Sequence, residues 1–264
     1  MPRIDWTKQQ QLLALRLYCQ LPFGQLHQRN PDIIAVATAI NRTPSAVAMK
    51  ACNFASLDPA IKQKGLGNVS RADRELWDEF QEESETIADS AEMAYQQIVI
   101  KEETAPAIEQ PSGPTESIRE VKTRRVQSFF RKAVLISYGN QCAISGLDLP
   151  ELLIASHIIP WRKNEKRRAD PTNGIALNAL YDKAFDRYLI TFDEQLRVVL
   201  SSALSRSLAE SPEAQKLFEI EGRSLRLPTR FRRRITVRSS LVRHSRRLCQ
   251  RCSGSGTHMC STLQ

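Results

Sequence analysis

Residues 155–193 decide the fold, and their sequence is ASHIIPWRKNEKRRADPTNGIALNALYDKAFDRYLITFD. The stretch begins in an apolar run at 152–159 that predicts a strand, and it passes through a basic loop to a second loop at 171–174. Residues 179–186 then have the apolar spacing of a short helix, and a hairpin is predicted to turn near 193–195. This order of helix and strand signals predicts an α+β fold.

Several separated positions match one motif: a small residue before His157, the pair Pro160-Trp161, a basic loop, Asn173-Gly174, and a short helix ending in Phe185-Asp186. With these residues the stretch resembles the HNH endonucleases, and the resemblance extends from about residue 120 to about residue 228. It implies a ββα-metal unit, in which a histidine ends the first strand, an asparagine lies in the next loop and metal ligands lie on the helix. It also implies hydrolysis of DNA phosphodiester bonds.

The resemblance assigns roles to individual residues. His157 would be the general base, since a neutral imidazole near pH 7 is well matched to removing a proton from water. Asn173 would tether the loop that orients His157. Asp182 and Asp186, an i, i+4 pair on one face of the helix, would hold a divalent cation. Basic side chains would contact the DNA backbone without reading base sequence, at Arg162, Lys163, Lys166, Arg167, Arg168, Lys183 and Arg187.

Three departures from the commonest HNH pattern concern the metal. Asp182 occupies the helix position that is usually His, and Ser156 precedes the base where Asp or His is usual. The two Cys-x-x-Cys knuckles that often brace the motif are absent, which leaves only Cys142 near the first. Oxygen ligands favour Mg²⁺ or Mn²⁺ over Zn²⁺, and the missing knuckles predict that there is no structural zinc.

Each of these residues also has a structural interpretation. A single histidine in an apolar run is often a hydrogen-bonded core residue, and the two aspartates could be surface residues paired with Lys183 and Arg187. The Asn173-Gly174 pair could be an ordinary turn that needs a positive φ. The combined spacing of histidine, asparagine and aspartates favours the catalytic interpretation.

Residues 1–100 are predicted to form an all-α module. Two short helices around a tight turn at 31–54 resemble a helix-turn-helix, in which Arg42 and Lys50 would contact DNA. A long, acidic, amphipathic helix is predicted from residue 70 to about residue 98. The module could instead serve dimerisation, or contact with a partner through the acidic helix.

Residues 101–116, KEETAPAIEQPSGPTE, have the composition of a linker. The nuclease domain is therefore predicted at 117–231, followed by a basic, disordered tail at 232–264 that shows neither helical nor strand periodicity. Since every proposed catalytic residue follows the linker, residues 117–228 alone are predicted to keep non-specific nuclease activity. Truncation after Phe231 is predicted to leave cleavage largely unchanged.

The formal net charge is +9, and it is unevenly distributed. Residues 1–116 hold 11 basic and 16 acidic side chains, whereas residues 117–264 hold 27 and 13. Eight arginines lie in the tail, so the overall basicity is weak support for a nucleic-acid partner. No apolar run approaches the roughly 20 residues needed to cross a bilayer, and the scattered cysteines do not suggest a disulfide scaffold. A cytoplasmic protein without membrane contact is predicted.

The sequence thus predicts a divalent-metal-dependent HNH endonuclease that cleaves DNA. Similar N-terminal modules accompany HNH domains in bacterial restriction-type proteins, which favours a role in restriction or defence against invading DNA. Two alternatives stay open: a non-catalytic helix-turn-helix regulator, and an effector subunit of a larger defence assembly. Cleavage of both strands would need two active sites, which favours a homodimer.

Overall fold

The computed structural model describes residues 5–61, 69–102, 118–201, 204 and 212–232. The helices of this part of the chain are α1 (Lys8–Gln20), α2 (Pro31–Ala39), α3 (Pro44–Leu57), α4 (Arg71–Glu82), α5 (Ser84–Glu102), α6 (Ile118–Ser137), α7 (Ala179–Asp186) and α8 (Pro212–Phe218). The strands are β1 (Leu153–His157), β2 (Gly174–Asn178), β3 (Ile190–Phe192) and β4 (Val198–Leu200). The fold is therefore a mixture of helices and small sheets. The predicted linker, beyond the end of α5, and the tail from residue 233 lie outside the described residues.

Helix α1 is the centre of the helical half, which comprises α1 to α5. Every residue from Gln11 to Cys19 is buried, because other helices surround α1 on all sides. The two buried polar side chains have partners: the Arg16 Nε donates to a Glu92 carboxylate oxygen at 3.0 Å, and Gln11 donates to Asp73 at 3.4 Å. Pairing of this kind offsets the cost of taking polar groups out of water.

The prediction of one long acidic helix from residue 70 is wrong in one respect, because the structure divides this segment into two helices, α4 and α5. Glu83 ends α4 with φ −128° and ψ 52°, outside the helical region. Ser84 then begins α5 with a completely buried side chain, whose hydroxyl donates to the Lys166 carbonyl oxygen at 2.8 Å. This tertiary contact fixes where α5 begins, although no Gly or Pro marks the break.

Helices α2 and α3 lie where the predicted helix pair was expected. Pro31 and Pro44 occupy first-turn positions, and the side chains of Asn30 and Thr43 cap the two helices. The intervening turn contains Asn41 at φ 53°, a left-handed conformation that Asn tolerates better than most residues.

Helix α6 is shared by the helical half and the strand-containing half, which runs from Tyr138 to Arg232. Its residues Val126, Phe129 and Ala133 belong to the core of the helical half. Phe130 and Val134 belong instead to the core that contains both sheets. One helix thus supplies side chains to both cores. This packing predicts that residues 117–228 alone would lose part of their structure, contrary to the expectation from the sequence.

The described chain ends by returning to the helical half. The guanidinium of Arg230 donates to the carbonyl oxygens of Tyr18 and Leu21, and the Phe231 N–H donates to the Asp58 carboxylate at 2.8 Å. The Phe231 ring is buried against the rings of Trp77 and Tyr18, at centroid distances of 6.2 and 5.5 Å. Residues 230–231 therefore connect the strand-containing half to the helical half through buried contacts.

Phe231→Ala is expected to lower the free energy of unfolding by about 3–5 kcal/mol, the usual loss when a buried aromatic ring is deleted. Truncation after Phe231 is the matched control and is expected to leave stability unchanged. Guanidinium denaturation of both variants measures the difference. Equal stability of Phe231→Ala and the full chain would show that this ring does not hold the halves together.

Strands β1 and β2 form an antiparallel pair in which His157 lies opposite Gly174. Gly174 has φ −117° and ψ 147°, so it is extended, and the interpretation of Asn173-Gly174 as a positive-φ turn is wrong. A Cβ at Gly174 would lie 2.9 Å from the Phe130 Cζ and would also overlap the Val134 side chain. The glycine is needed because α6 lies directly against β2.

Gly174→Ala is expected to destabilise the protein by about 1–3 kcal/mol, the usual cost of overpacking a core. Gly24→Ala is the control, since an added Cβ there meets nothing within 4 Å. Thermal unfolding of the two variants gives the comparison. If the two melting temperatures agree, the close approach of α6 to β2 does not exist in solution.

The second sheet is the predicted hairpin of β3 and β4, and it turns at Asp193 to Arg197. Helix α7 has the predicted bounds and connects the first sheet to this hairpin. In the described residues, no helix is both long and apolar enough to cross a membrane.

Candidate active site

His157 ends β1 with its imidazole partly buried between aromatic rings. The ring stacks on Phe130 at a centroid distance of 3.8 Å and lies perpendicular to the Trp161 ring at a centroid distance of 5.4 Å. Its Nε2 lies 2.9 Å from the carbonyl oxygen of Arg168. A carbonyl can only accept a hydrogen bond, so Nε2 carries the proton of the neutral ring and Nδ1 keeps its lone pair.

Burial lowers the pKa of His157 below its ordinary value of 6.5. The bond to the Arg168 carbonyl and the negative charge of Asp186 act in the opposite direction and offset part of this shift. The lowered pKa favours the neutral imidazole near pH 7, the form that a general base requires.

Asn173 holds the segment that follows His157. Its side chain is buried, its Oδ1 accepts from the Ile159 N–H at 2.8 Å, and its Nδ2 donates to the Ile159 carbonyl at 3.1 Å. The Asn173 backbone carbonyl also accepts from the Ile158 N–H at 2.8 Å. The asparagine thus fixes the chain at the end of β1, next to the imidazole.

Helix α7 carries the two aspartates that were predicted to bind metal. Asn178 caps the helix by accepting from the Tyr181 N–H at 2.9 Å. Asp182 is half-buried and accepts a hydrogen bond from the buried hydroxyl of Ser156 on β1, whereas Asp186 is exposed one turn later. Burial raises the pKa of Asp182, the bond from Ser156 offsets part of this increase, and the charge of Asp186 adds to it.

These groups fit a hard divalent cation. The described residues contain no group of three or more His, Cys, Asp or Glu side chains arranged as a metal site. Mg²⁺, however, is commonly held by one or two carboxylates, with water and substrate phosphate completing its shell. Asp182 and Asp186 could supply two such carboxylates, and a bound cation would offset both the burial and the lesser repulsion from Asp186 that raise the pKa of Asp182.

The predicted DNA contacts fall into two groups. Four basic side chains are exposed on the loop after β1 and on or next to α7, and in the described residues they form no ion pair: Arg162, Lys163, Lys183 and Arg187. The other three of this half are used within the protein. Lys166 pairs with Glu83, Arg167 with Asp170 at 2.8 Å, and Arg168 with Glu85 at 3.2 Å.

The two predicted DNA contacts of the helical half both bond to other residues of the protein. Lys50 is buried, with its ammonium 2.9 Å from both oxygens of the buried Asp73 carboxylate. Arg42 donates to the Asp5 carbonyl at 2.6 Å and to Gln10 at 3.0 Å, and its guanidinium covers the Trp6 ring. The buried Lys50 is not presented to a phosphate, whereas Arg42 is partly exposed. We therefore correct the assignment of Lys50, whereas the assignment of Arg42 stays a prediction.

Three contributors to the site were not assigned a role from the sequence. Ser156 was noted only as a departure from the usual pattern, yet its hydroxyl fixes Asp182. Phe130 supplies the face on which the imidazole stacks, and the Arg168 carbonyl selects its tautomer. The position of Ser156 beside His157 was a usable signal, but nothing local marks the other two contacts.

Residues 142–193, about a fifth of the chain, match a family model described as HNH endonuclease. The matched segment contains β1, β2, α7 and all four residues predicted to act in catalysis or metal binding. An HNH domain in this position supports a nuclease. No curated protein matches the chain.

Proposed function

We propose that this protein is a divalent-metal-dependent endonuclease that hydrolyses phosphodiester bonds of DNA. One observation carries the proposal. The Nε2–H of His157 donates to the Arg168 carbonyl, which leaves Nδ1 as the proton acceptor. Both residues lie in the segment that matches HNH endonucleases. In this proposal β1, β2 and α7 form a ββα-metal unit.

The residues divide the chemistry as follows. His157 takes a proton from the attacking water through Nδ1, while Asn173 keeps the loop after β1 in register. Ser156 holds the Asp182 carboxylate toward the site. Mg²⁺ or Mn²⁺ bound by Asp182 and Asp186 would neutralise charge on the phosphate and stabilise the leaving oxygen. Arg162, Lys163, Lys183 and Arg187 are available for the DNA backbone.

A role in restriction or anti-phage defence is part of the proposal, and it rests on the resemblance to restriction-type proteins. Its test is phage infection of cells that express the wild-type chain or an inactive variant. Lys50 is buried against Asp73 and Arg42 bonds to Asp5 and Gln10, which does not favour DNA recognition by α2 and α3, so we do not propose a helix-turn-helix regulator. The homodimer and the partner in a defence assembly stay predictions.

The substrate class is tested with end-labelled duplex DNA and RNA of the same sequence, incubated with the full chain and Mg²⁺, Mn²⁺ or EDTA. We expect cleavage of DNA that depends on either ion. Cleavage of RNA alone would contradict the substrate class, and no cleavage of either polymer by folded protein would contradict the nuclease assignment.

A further inference from the structure

The start of α5 lies against the loop that follows β1. The completely buried Ser84 donates its hydroxyl hydrogen to the Lys166 carbonyl at 2.8 Å. The next residue, Glu85, accepts from the Arg168 guanidinium at 3.2 Å. These two contacts join residues 82 and 83 positions apart in sequence, so they connect the helical half to the site.

Arg168 connects α5 to the imidazole, because its side chain binds Glu85 and its backbone carbonyl binds His157. Its backbone carbonyl accepts from the Nε2 of His157 at 2.9 Å. Its guanidinium is held by Glu85, donates to the Trp161 carbonyl at 3.0 Å, and lies over the Trp161 ring. The same ring lies perpendicular to the imidazole of His157. Fixing the side chain of Arg168 therefore fixes two neighbours of the imidazole.

We propose that Ser84 and Glu85 are positioning residues for His157, so that the helical half completes the active site. The proposal rests on the function proposed above. Neither residue touches substrate; each acts through the 166–168 backbone, whose carbonyl at Arg168 orients the general base.

The ion pair between Glu85 and Arg168 is well placed for this role. Only 17% and 14% of the two side chains are exposed, so solvent screens their attraction less than that of a surface pair. Lys122 on α6 also pairs with Glu85 at 3.4 Å, through the carboxylate oxygen that Arg168 does not use. By contrast, the Lys166 to Glu83 pair is exposed and is expected to contribute little.

The first test compares steady-state cleavage of duplex DNA by variants of the full chain. Because a small displacement of a catalytic group can cost up to about a hundredfold in rate, we expect Ser84→Ala and Glu85→Ala each to lower kcat about tenfold or more. Their KM for DNA should stay within about twofold of wild type, since no proposed phosphate contact is removed. Glu85→Gln keeps an oxygen acceptor for Arg168 and should restore most of the rate.

Two controls remove comparable contacts elsewhere. Asp89→Ala deletes a second ion pair of α5, with Arg125 at 2.7 Å and side-chain exposures of 15% and 16%, which does not touch the 165–168 loop. Ser137→Ala deletes another buried hydroxyl that donates to a backbone carbonyl, that of Val134 at 2.7 Å. Both should keep kcat within about threefold of wild type, because neither contact supports the imidazole. If the Ser84 and Glu85 variants match these controls, the proposal is wrong.

A second readout does not depend on activity. In ¹⁵N-histidine-labelled protein, which has four histidines, the Nε2–H signal of His157 is identified by its loss in His157→Gln. At about pH 8, where imidazole is neutral, we expect this proton to exchange slowly with water in wild type and in both controls. It should exchange at least about tenfold faster in Ser84→Ala and Glu85→Ala, because the bond to Arg168 is weakened.

Fast exchange in wild type, or equal exchange in all five proteins, overturns the proposal. Should Ser84→Ala fail to fold, the proposal is tested by comparing the kcat of Glu85→Ala with that of Glu85→Gln. Equal kcat values would then overturn it. The proposed nuclease function fails separately, if the folded wild-type protein cleaves neither DNA nor RNA. In that case the exchange measurement still reports whether α5 orients the imidazole.

Discussion

His157→Ala is expected to abolish DNA cleavage while leaving the affinity for DNA nearly intact. The substitution removes the nitrogen that accepts the proton from water, and loss of a general base costs about 10²-fold or more in rate. The exposed cations stay in place, so binding should change little. Single-turnover assays measure the cleavage rate. Fluorescence anisotropy with labelled duplex DNA and Ca²⁺ measures the affinity for DNA.

His27→Ala is the control, because His27 is exposed between α1 and α2. The rate of the wild type should also fall as the pH drops below the ordinary imidazole value of 6.5, since protonation of His157 removes its lone pair and burial has lowered its pKa. Cleavage by His157→Ala within about threefold of wild type would exclude general-base catalysis by this residue.

Asp182→Ala and Asp186→Ala are each expected to weaken Mg²⁺ or Mn²⁺ binding by about tenfold or more, because each removes one of the two charged oxygen ligands. Cleavage should fall accordingly, and a higher concentration of the ion should restore part of it. Titration calorimetry measures the affinity and a metal titration of the cleavage rate measures the rescue.

Glu194→Ala serves as the control, since Glu194 is an exposed acid at the turn between β3 and β4. Ser156→Ala adds a finer comparison: it leaves both carboxylates but frees Asp182 from its hydrogen bond. Unchanged metal affinity in both aspartate variants would mean that Asp182 and Asp186 are surface residues of α7 and that the cation binds elsewhere.

The part of the site that could be predicted from the sequence depends on local signals. Asn178 is a good helix cap, the apolar spacing of the next eight residues marks α7, and the i, i+4 rule then puts Asp182 and Asp186 on one face. The role of Asn173 was implied by the resemblance rather than by a local signal, since its side chain bonds to Ile159, 14 positions away.

What could not be predicted depends on contacts between distant residues. Lys50 was predicted to contact DNA, but it is buried in an ion pair with Asp73 on α4, 23 positions away. The break at Glu83 has no Gly or Pro, and it exists because Ser84 reaches a carbonyl 82 positions away. The packing of α6 against two cores could not be predicted either. Phe129 and Phe130 are adjacent in sequence but belong to different cores. The helical half and the strand-containing half look separable in the sequence and are interlocked in the structure.

The most direct test of the nuclease assignment is the conversion of supercoiled plasmid to nicked circles by the full wild-type chain, with His157→Ala purified in parallel. With Mg²⁺ or Mn²⁺ we predict nicking by wild type, none in EDTA, and a rate at least about 10²-fold lower for the variant. Absence of nicking by folded wild-type protein with either ion, or equal nicking by His157→Ala, would contradict the assignment of His157 as the base of a metal-dependent DNA nuclease.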